Sequence, residues 1–333
     1  MYKDSTIVLA TRGSALALAQ ADLILNQCRT EFPSLRFEIN VIRTTGDKLE
    51  TASLSQGGKS LPKGLFTKEL EIALLNRQAD LAVHSLKDLP TDLPAGLKLG
   101  AVGQRADLRD VLICCDSQQH YSGQILTLQD LRHGAVVGTS STRRQAQLLA
   151  QRPDLNIVEL RGNIITRLQK LACKRDMDAI VLAAAGLERL NFQLTPDGRL
   201  SGSSIPDGLL ASLLDVNVMV PCVGQGALGV EIRENDARIT AICERLNHLP
   251  TEQCVGAERS FLAAMGGGCA SPVAAYAEIV DDEIRMRAIS FPDGIIRQAF
   301  GTAERHQGAE LGQQLAAKLA GQDFPISVEA NKC

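Results

Sequence analysis

Two stretches of the chain share one pattern of hydrophobic and polar positions. In each, a short apolar run is followed by a turn of small and polar residues and then by a run rich in Ala, Leu and Gln. The first predicted strand is 6–10 and its turn is Thr11-Arg12-Gly13-Ser14, whereas the second strand is 135–138 and its turn is 139–144. The sequence therefore predicts two halves that repeat one strand, turn and helix plan.

The alternation of predicted strands and helices continues between and after these stretches. Such alternation is typical of α/β domains whose sheets are largely parallel. Ligands of these domains bind beyond the carboxyl ends of the strands, so the segments that follow strands are the candidates for a functional site. The further predicted strands are 37–42, 81–84, 156–160 and 179–182, and the helices beside them are 66–76 and 164–173.

Two segments with little apolar periodicity interrupt this pattern, and the last third of the chain departs from it. Residues 44–63 contain Gly and Pro and predict a long loop of the kind that serves as a lid. Residues 191–207 are rich in Gly, Ser, Pro and Asp and predict a surface excursion. A third, smaller domain is predicted from about Thr251, with a helix, a glycine turn at 266–268, a strand pair at 273–290 and a helix at 309–320.

Length and charge limit the classes of protein that fit. A chain of 333 residues is too long for one ordinary core and predicts two or three domains. A net charge of −3 gives no overall attraction to nucleic acid or anionic membranes, and 3% aromatic residues without Trp disfavour a stacking platform for single strands. We therefore expect no nucleic-acid partner, and any binding of anions has to come from local clusters of Arg.

The cysteines and the apolar runs indicate a compartment. No run approaches the ~20 apolar residues of a membrane span, and the N-terminus lacks the basic and apolar parts of a signal peptide. The nine cysteines show no spacing typical of a metal site, so we expect free thiols and no metal. These features predict a cytoplasmic protein without a membrane partner.

Arginines follow several of the predicted strands. Arg12 and Ser14 lie in the first strand-to-helix turn, and Ser141, Arg143 and Arg144 lie in the second. Helix N-termini with nearby cations bind anions, and Arg is preferred where planar carboxylates are held by two hydrogen bonds. One such arginine would usually be a solvated surface charge, but the repetition favours a ligand with several carboxylates. Three more arginines at strand exits, Arg161, Arg167 and Arg189, extend this prediction.

Two other segments carry candidate chemistry. Lys87 and Asp88 follow the predicted strand at 81–84 and place a base beside an acid, although a surface ion pair would look the same. His84 has the pattern of a packed strand residue, and we assign it no role. Cys269 follows a glycine turn, where the backbone can approach a ligand closely. Composition and spacing alone lead to an α/β protein with a polycarboxylate site.

Eight motifs, in order and spacing, closely resemble the porphobilinogen deaminase family over nearly the whole chain. Any one of them would be weak evidence, but the set in this order is specific. The motifs are Ala-Thr-Arg-Gly-Ser at 10–14, Thr-Gly-Asp-Lys at 45–48, the run at 63–70, the segment 84–90, the segment 138–144, the segment 161–168, Val-Gly-Gln-Gly-Ala at 223–227 and the Gly-Gly-Cys turn that ends at Cys269.

The resemblance implies a fold with three domains. Two are lobes like those of periplasmic binding proteins, with mainly parallel sheets, and the third is a small C-terminal α/β domain. Domain 1 would be discontinuous, with residues 1–105 and 226–245 and with the acid and the lid. Domain 2, the Arg-rich lobe, would be 106–225, and domain 3, which attaches the cofactor, would be 246–333.

The resemblance also implies a transferase of tetrapyrrole (porphyrin) biosynthesis. Such an enzyme condenses four porphobilinogen molecules head to tail, releases ammonia each time, and hydrolyses off hydroxymethylbilane. The chain grows on a dipyrromethane cofactor that is bound through a Cys thioether, and members of the family are mostly monomers. Release of ammonia leaves a delocalised cation, which a nearby carboxylate stabilises. The growing chain carries many carboxylates, which explains the need for arginines.

The family's functional residues carry over onto matching positions. Cys269 would form the thioether, and Asp88 with Lys87 would be catalytic. The expected cofactor contacts are Arg143, Arg144, Ser141, Lys63 and Asp88, and the expected substrate contacts are Arg12, Ser14, Arg161, Arg167, Arg189, Phe66 and Gln225.

The sequence departs from the family's pattern at two of these sites and at two further positions. Extra residues at 60–63 leave Lys59 or Lys63 as the lysine at the edge of the site, and we favour Lys63 because it directly precedes Gly-Leu-Phe. Met265 and Gly266 stand where Leu and Glu are common before the cofactor cysteine, and Ala270-Ser271 follow it where Gln is common. Thr142 replaces a usual Leu, and Ala274 a usual Gly.

Two other readings predict different observations. A two-lobed carboxylate-binding module without catalysis would explain the lobes and the arginines, but it would not need Cys269. A paralogue that has lost turnover would explain the altered cysteine turn and the longer lid. A covalent adduct of two pyrrole units separates the first reading from an enzyme, and formation of product separates the second.

Overall fold

The computed structural model describes residues 6–46, 66–115, 126–174, 176–266 and 272–321. Within these ranges the chain forms two five-stranded sheets, one three-stranded sheet and a two-stranded hairpin. The strands are β1 Ile7–Arg12, β2 Phe37–Ile42, β3 Leu81–Ser85, β4 Leu97–Val102, β5 Asp110–Cys115, β6 Val136–Gly138, β7 Asn156–Val158, β8 Ala179–Ala183, β9 Gln193–Leu194, β10 Leu200–Ser201, β11 Leu209–Leu213, β12 Leu228–Arg233, β13 Val273–Val280, β14 Glu283–Ser290 and β15 Arg297–Glu304. The helices are α1 Ala15–Glu31, α2 Lys68–Leu75, α3 Thr142–Gln151, α4 Ile164–Lys174, α5 Ala184–Arg189, α6 Ala237–Leu246, α7 Leu249–Ala264 and α8 Gly308–Ala320.

The first sheet has the strand order β2-β1-β3-β12-β4. β1 pairs in parallel with β2 and β3, whereas β12 is antiparallel to both β3 and β4, so four of the five strands run in the same direction. β12 comes from far along the chain and closes the sheet between two early strands. We call this sheet and its helices the first lobe.

The second sheet, the core of the second lobe, repeats this arrangement in the order β7-β6-β8-β5-β11. β6 is parallel to β7 and β8, and β5 is the one reversed strand, antiparallel to β8 and β11. The prediction of two halves with one plan and mainly parallel sheets is therefore confirmed. The surface excursion predicted at 191–207 contains the short β9–β10 hairpin, in which most side chains are exposed.

The third sheet, β13-β14-β15, is antiparallel, with α7 and α8 packed against it. Phe261 of α7 is fully buried in this core beside Leu315 of α8. Burial of such a side chain stabilises the fold by about 1.5–3 kcal/mol. The predicted strand pair at 273–290 is correct but incomplete, because β15 adds a third strand.

The element boundaries reflect local signals. Ser14 caps α1, since its hydroxyl accepts a hydrogen bond from the Ala17 N–H at 3.3 Å, and Ser141 caps α3 in the same way with Arg144 N–H at 3.4 Å. The strand predicted at 156–160 ends two residues earlier, at Val158, because Leu160 turns away to bond its N–H to the Ser140 hydroxyl.

The chain crosses between the two lobes twice, and the crossings lie side by side. One runs from β4 to β5 and the other from β11 to β12. Ala106 N–H donates to Gly226 O at 3.1 Å, and Gly103 N–H donates to Leu228 O at 3.0 Å. Gly226 has a φ of +86°, and a Cβ there would lie 2.6 Å from Ala106 O. Only glycine allows this close approach.

Helix α7 fastens the third sheet to these crossings. The buried Glu258 carboxylate pairs with Arg105 at 2.6 Å and accepts backbone N–H bonds from Gly224 at 2.8 Å and Ala277 at 2.9 Å. Arg105 also donates to Gln225 O at 2.8 Å. One carboxylate thus joins both crossings to the third sheet, and burial of such a pair requires that all of its bonds be made.

Candidate active site

The first lobe brings a cation and an acid to one edge of its sheet. Arg12 ends β1, and Lys87 and Asp88 form a 3-10 turn directly after β3. Because β1 and β3 are parallel neighbours, with Leu9 opposite Leu81, their carboxyl ends meet at that edge. The placement of these three predicted residues follows the rule for open α/β sheets.

Backbone contacts from the segment 224–227 hold the turn that carries Asp88. Leu86 N–H donates to Ala227 O at 3.0 Å, and Leu89 N–H closes the turn onto Leu86 O at 3.2 Å. Gly224, with a φ of +70°, packs so closely that a Cβ would lie 3.3 Å from Lys87 N. Asp88 is exposed above this support. The turn therefore presents a solvent-accessible carboxylate on a fixed backbone.

Arg12 is oriented by an aromatic ring. Its guanidinium carbon lies 4.2 Å from the centroid of the Phe66 ring, within the range of a cation–π contact. Both residues belong to motifs that resemble the family, and Phe66 is the first described residue after the predicted lid. The stack holds the cation at the sheet edge.

In the second lobe, Arg143 and Arg144 lie at the start of α3 and are buried. Both pair with the buried carboxylate of Asp110, Arg143 at 2.8 Å and Arg144 at 2.7 Å. They also donate to the backbone carbonyls of Val220 and Val181. Burial alone would raise the pKa of Asp110, but the two guanidinium groups outweigh it and hold that pKa well below its ordinary value.

Asp110 is a site residue that the sequence analysis missed. It begins β5 and also accepts a bond from the Gln225 side-chain amide at 3.0 Å, which joins the second crossing to the pair of arginines. Gln225 Oε1 is buried and has no hydrogen-bond partner among the described residues. A lone acid before a fully apolar run was the only signal of Asp110 in the sequence.

Groups from both lobes converge around Lys87. Desolvation, the largest effect, lowers the pKa of its ammonium group, while the charge of Asp88 raises it and that of Arg144 lowers it. Burial likewise raises the pKa of the Cys222 thiol, against Arg143 and Lys87, which lower it. Gly224 packs against the backbone of Lys87, and the next residue, Gln225, donates to Asp110, so the Asp88 turn of the first lobe lies near the Arg143–Arg144–Asp110 cluster of the second.

Arg161 lies just before α4, Arg167 lies in α4, and Arg189 ends α5. Arg161 is half exposed and pairs with Glu159, and Arg167 donates to Gly162 O at 2.7 Å. Arg189 donates to Gly226 O at 2.6 Å and has no ion-pair partner among the described residues. Its desolvation, opposed by Glu188, lowers the pKa of its guanidinium to about 10.

The lobes approach each other where these helices begin. A Cβ on Gly186 of α5 would lie 2.7 Å from Ile164 Cδ1 and 4.0 Å from Leu16 Cδ2. The starts of α1, α4 and α5 are thus neighbours. Lys63, Cys269 and most of the lid predicted at 44–63 lie outside the described residues, and so do the alternative Lys59 and the substituted positions 270 and 271.

His84 fits the packed role that its pattern indicated. It is buried, and its Nε2 lies 3.0 Å from the carboxylate of Glu231, which is fully buried on β12. The seven cysteines in the described part of the chain are free thiols. Within the same ranges no group of three or more His, Cys, Asp or Glu is suited to a metal ion. No described helix is both long and apolar enough to cross a membrane.

Together these features define a two-lobed α/β protein with an acid and several cations near the place where its lobes meet. The family comparison is specific. The model of the porphobilinogen deaminase dipyromethane cofactor binding domain matches residues 7–241, and that of the C-terminal domain matches residues 252–321. The chain belongs to the porphobilinogen deaminase family.

Relatives match over nearly their whole length. The porphobilinogen deaminase of Brevibacillus brevis is 42% identical over 317 residues, which cover 94% of each chain. That of Bacillus velezensis is 41% identical over 331 residues, 98% of this chain and 97% of the relative. Among solved structures, the BenM effector-binding domain with its effector benzoate has 15% identity and a TM-score of 0.40, and it covers 72% of this chain and 90% of that one. The family assignment depends on the sequence matches alone.

The described residues fit the acidic cofactor of this family. Ser14 and Ser141 cap the helices α1 and α3, which follow β1 and β6, and such N-termini favour anions. Desolvation lowers the pKa of Lys87, and Arg189 is a desolvated cation that lacks a carboxylate partner among the described residues. Carboxylates of a pyrrole chain would supply the missing negative charge.

Proposed function

We propose that the chain condenses four porphobilinogen molecules head to tail, with release of ammonia at each step, and then hydrolyses off hydroxymethylbilane. The observation that supports this reaction best is the opposition of Asp88 on one lobe to a cationic cluster on the other. An acid alone would stabilise a cation, and arginines alone would bind acidic side chains. The reaction needs both in one cleft.

In this proposal, Asp88 stabilises the positive charge that develops on the pyrrole when ammonia leaves. Its carboxylate also accepts the pyrrole N–H bonds, which orients the ring. The dipyrromethane cofactor supplies the pyrrole ring to which substrate is added. Lys87, beside Asp88, neutralises acidic side chains close to the reacting ring.

The other site residues fall into contacts to the substrate and contacts to the cofactor. Arg12, Ser14, Phe66 and Gln225 belong to the substrate contacts, with Arg161, Arg167 and Arg189 on the facing lobe. Arg143, Arg144, Ser141 and Lys63 belong to the cofactor contacts, and Cys269 forms the thioether. Since Asp110 already neutralises part of the Arg143 and Arg144 charge, we infer that these two arginines act through their remaining field and through groups nearer the cleft.

The domain borders are part of the proposal. We place domain 1 at 1–105 and 226–245, domain 2 at 106–225 and domain 3 at 246–333. The support is that the first sheet recruits β12 after the second crossing, and that the third sheet begins after α7. We also propose a cytoplasmic monomer without nucleic-acid or membrane partners. Light scattering of the purified enzyme tests the monomeric state, because it measures the molar mass.

The mass of the purified chain tests the function. We expect an adduct of two pyrrole units that disappears in Cys269→Ser, and product from porphobilinogen only in the adduct-bearing form. Cys173→Ser, a change of an exposed cysteine, is the matched control and should keep both. An unmodified chain that still makes product would exclude the thioether, and an adduct-bearing chain without product would favour the inactive paralogue.

A second prediction concerns Arg189. Arg189→Gln should raise KM for porphobilinogen about 10-fold or more with a smaller change in kcat, because a charge-assisted bond to a substrate carboxylate contributes roughly 1.5–3 kcal/mol. Steady-state kinetics measure both constants. The exposed Arg199→Gln is the control. An unchanged KM would remove Arg189 from the substrate contacts.

A further inference from the structure

Arg259 of α7 reaches from the third domain to the segment that follows Asp88. Its Nη1 donates to Leu89 O at 3.0 Å, and its Nη2 donates to Pro90 O at 2.7 Å and Thr91 O at 3.4 Å. The side chain is partly buried. One guanidinium therefore gathers three consecutive carbonyls that begin one residue after the candidate catalytic acid.

These carbonyls belong to a stretch without a strand or helix partner. The chain is irregular from Leu89 until β4 begins at Leu97. Arg259 has no carboxylate within ion-pair distance among the described residues, and its desolvation lowers the pKa of its guanidinium, which Asp92 and Glu231 raise only through their more distant charges. The hydrogen bonds from Arg259 to these carbonyls therefore fix the conformation of a backbone segment that no strand or helix holds.

The Asp88 turn is thus held at both ends by different means. β3 and the Leu86 bond to Ala227 hold its entrance, whereas Arg259 holds its exit. We propose that Arg259 is a positioning residue, which fixes the exit of the turn and thereby sets where the Asp88 carboxylate stands in the cleft. This inference rests on the role proposed for Asp88.

The neighbouring residue on α7 supports the same turn from another side. Glu258 bonds the Gly224 N–H, and Gly224 packs against the backbone of Leu86 and Lys87. Two consecutive side chains of one helix therefore fix the turn. α7 ends at Ala264, five residues before Cys269 in the sequence. The helix that precedes the cofactor cysteine in the sequence thus also carries the two side chains that fix the Asp88 turn.

The holoenzyme with Arg259→Gln tests the inference. We expect kcat to fall about 100-fold, with KM changed less than about twofold, because a displacement of about 1 Å of a catalytic group costs that much. Arg259→Lys should recover part of the loss, since an ammonium group can bond one or two of the carbonyls but lacks the planar fork. Mass spectra of the enzyme during turnover should show every ring addition slowed to the same extent, because one carboxylate serves all of them.

Arg285→Gln, which removes an exposed arginine of the same domain, is the control and should behave as the unchanged enzyme. A purely structural role would lower Tm and the amount of active enzyme but leave kcat per folded molecule unchanged, and that result would overturn the inference. Slowing of only the last additions would overturn it as well. If Arg259→Gln does not fold, Arg259→Lys decides, with kcat lowered at unchanged KM as the expected result.

Asp88→Ala, measured in parallel, separates this inference from the proposed function. If Asp88→Ala is inactive and Arg259→Gln turns over normally, only the positioning role fails. If Asp88→Ala turns over normally, the role of Asp88 and the positioning inference fail together. Neither outcome affects the adduct on Cys269, which is tested by mass alone.

Discussion

Replacing Asp88 with Ala should lower kcat about 100- to 1,000-fold while the protein keeps its fold. The carboxylate is exposed on its turn, and the backbone beneath it is held by Ala227 and Gly224, so the change removes little packing. The carboxylate stabilises the step in which positive charge develops. Removal of one such preorganised group typically lowers kcat about 10²–10³-fold. Steady-state formation of product, oxidised to porphyrin and followed by absorbance, measures the change.

The matched control for Asp88 is Asp22→Ala, which removes an exposed acid from α1 of the same lobe. It should keep normal kcat and Tm. If Asp88→Ala kept more than about a tenth of the normal kcat, the carboxylate would not be the group that stabilises the developing charge. A large fall in Tm would instead assign Asp88 to the support of the turn.

Replacing Asp110 with Asn should destabilise the fold by about 3–5 kcal/mol at neutral pH. The substitution keeps the shape of the side chain but leaves the buried guanidinium groups of Arg143 and Arg144 without their shared counter-charge. Urea unfolding, followed by circular dichroism, measures the free energy of unfolding. The exposed pair of Asp197 and Arg199 offers the control Asp197→Asn, which should leave that free energy nearly unchanged.

The effect of Asp110 should also depend on pH in a defined direction. The pKa of this carboxyl in the folded protein lies below its value of about 3.9 in an unfolded chain. Its contribution to stability is therefore complete above about pH 3.9 and is lost as the pH falls toward the folded pKa. The difference in unfolding free energy between the unchanged enzyme and Asp110→Asn should be constant at neutral pH and shrink in acid. A difference that grows on acidification would contradict the ion pair.

Much of the architecture could be predicted because its signals are local. The strand, turn and helix pattern around Arg12 recurs around Arg143, and the two sheets share one order. β12 was not predicted, because it is buried and yet contains the charged residues Glu231 and Arg233. Glu231 contacts His84, 147 residues earlier in the chain, and Arg233 pairs with Asp80 as well as with the nearby Asp236. A buried strand whose polar contacts are mostly distant in sequence has no local signature.

The site could be predicted by residue type more than by pairing. Positions after strands and the family motifs led to Asp88, Lys87 and the arginines. The structure places Arg12, Lys87 and Asp88 at one edge of the first sheet and Arg143 and Arg144 at the start of α3. The sequence did not reveal that Arg143 and Arg144 pair with Asp110, because that contact joins the start of helix α3 to the start of strand β5, 33 residues apart for Arg143. The bond between Arg259 and the Leu89 carbonyl has the same character, since it joins residues 170 positions apart.

The paired crossings between the lobes have a consequence for the growth of the product. With Ala106 bonded to Gly226 and Gly103 to Leu228, a twist of one lobe against the other would shear these bonds, whereas a swing about the line of the crossings would keep them. Each added ring needs more room, so we expect the space between the lobes to widen by rotation about the line of the crossings. Because Glu258 bonds to Arg105 and Gly224 on the two crossings, we expect the third sheet to stay with the crossings while the two lobes move apart.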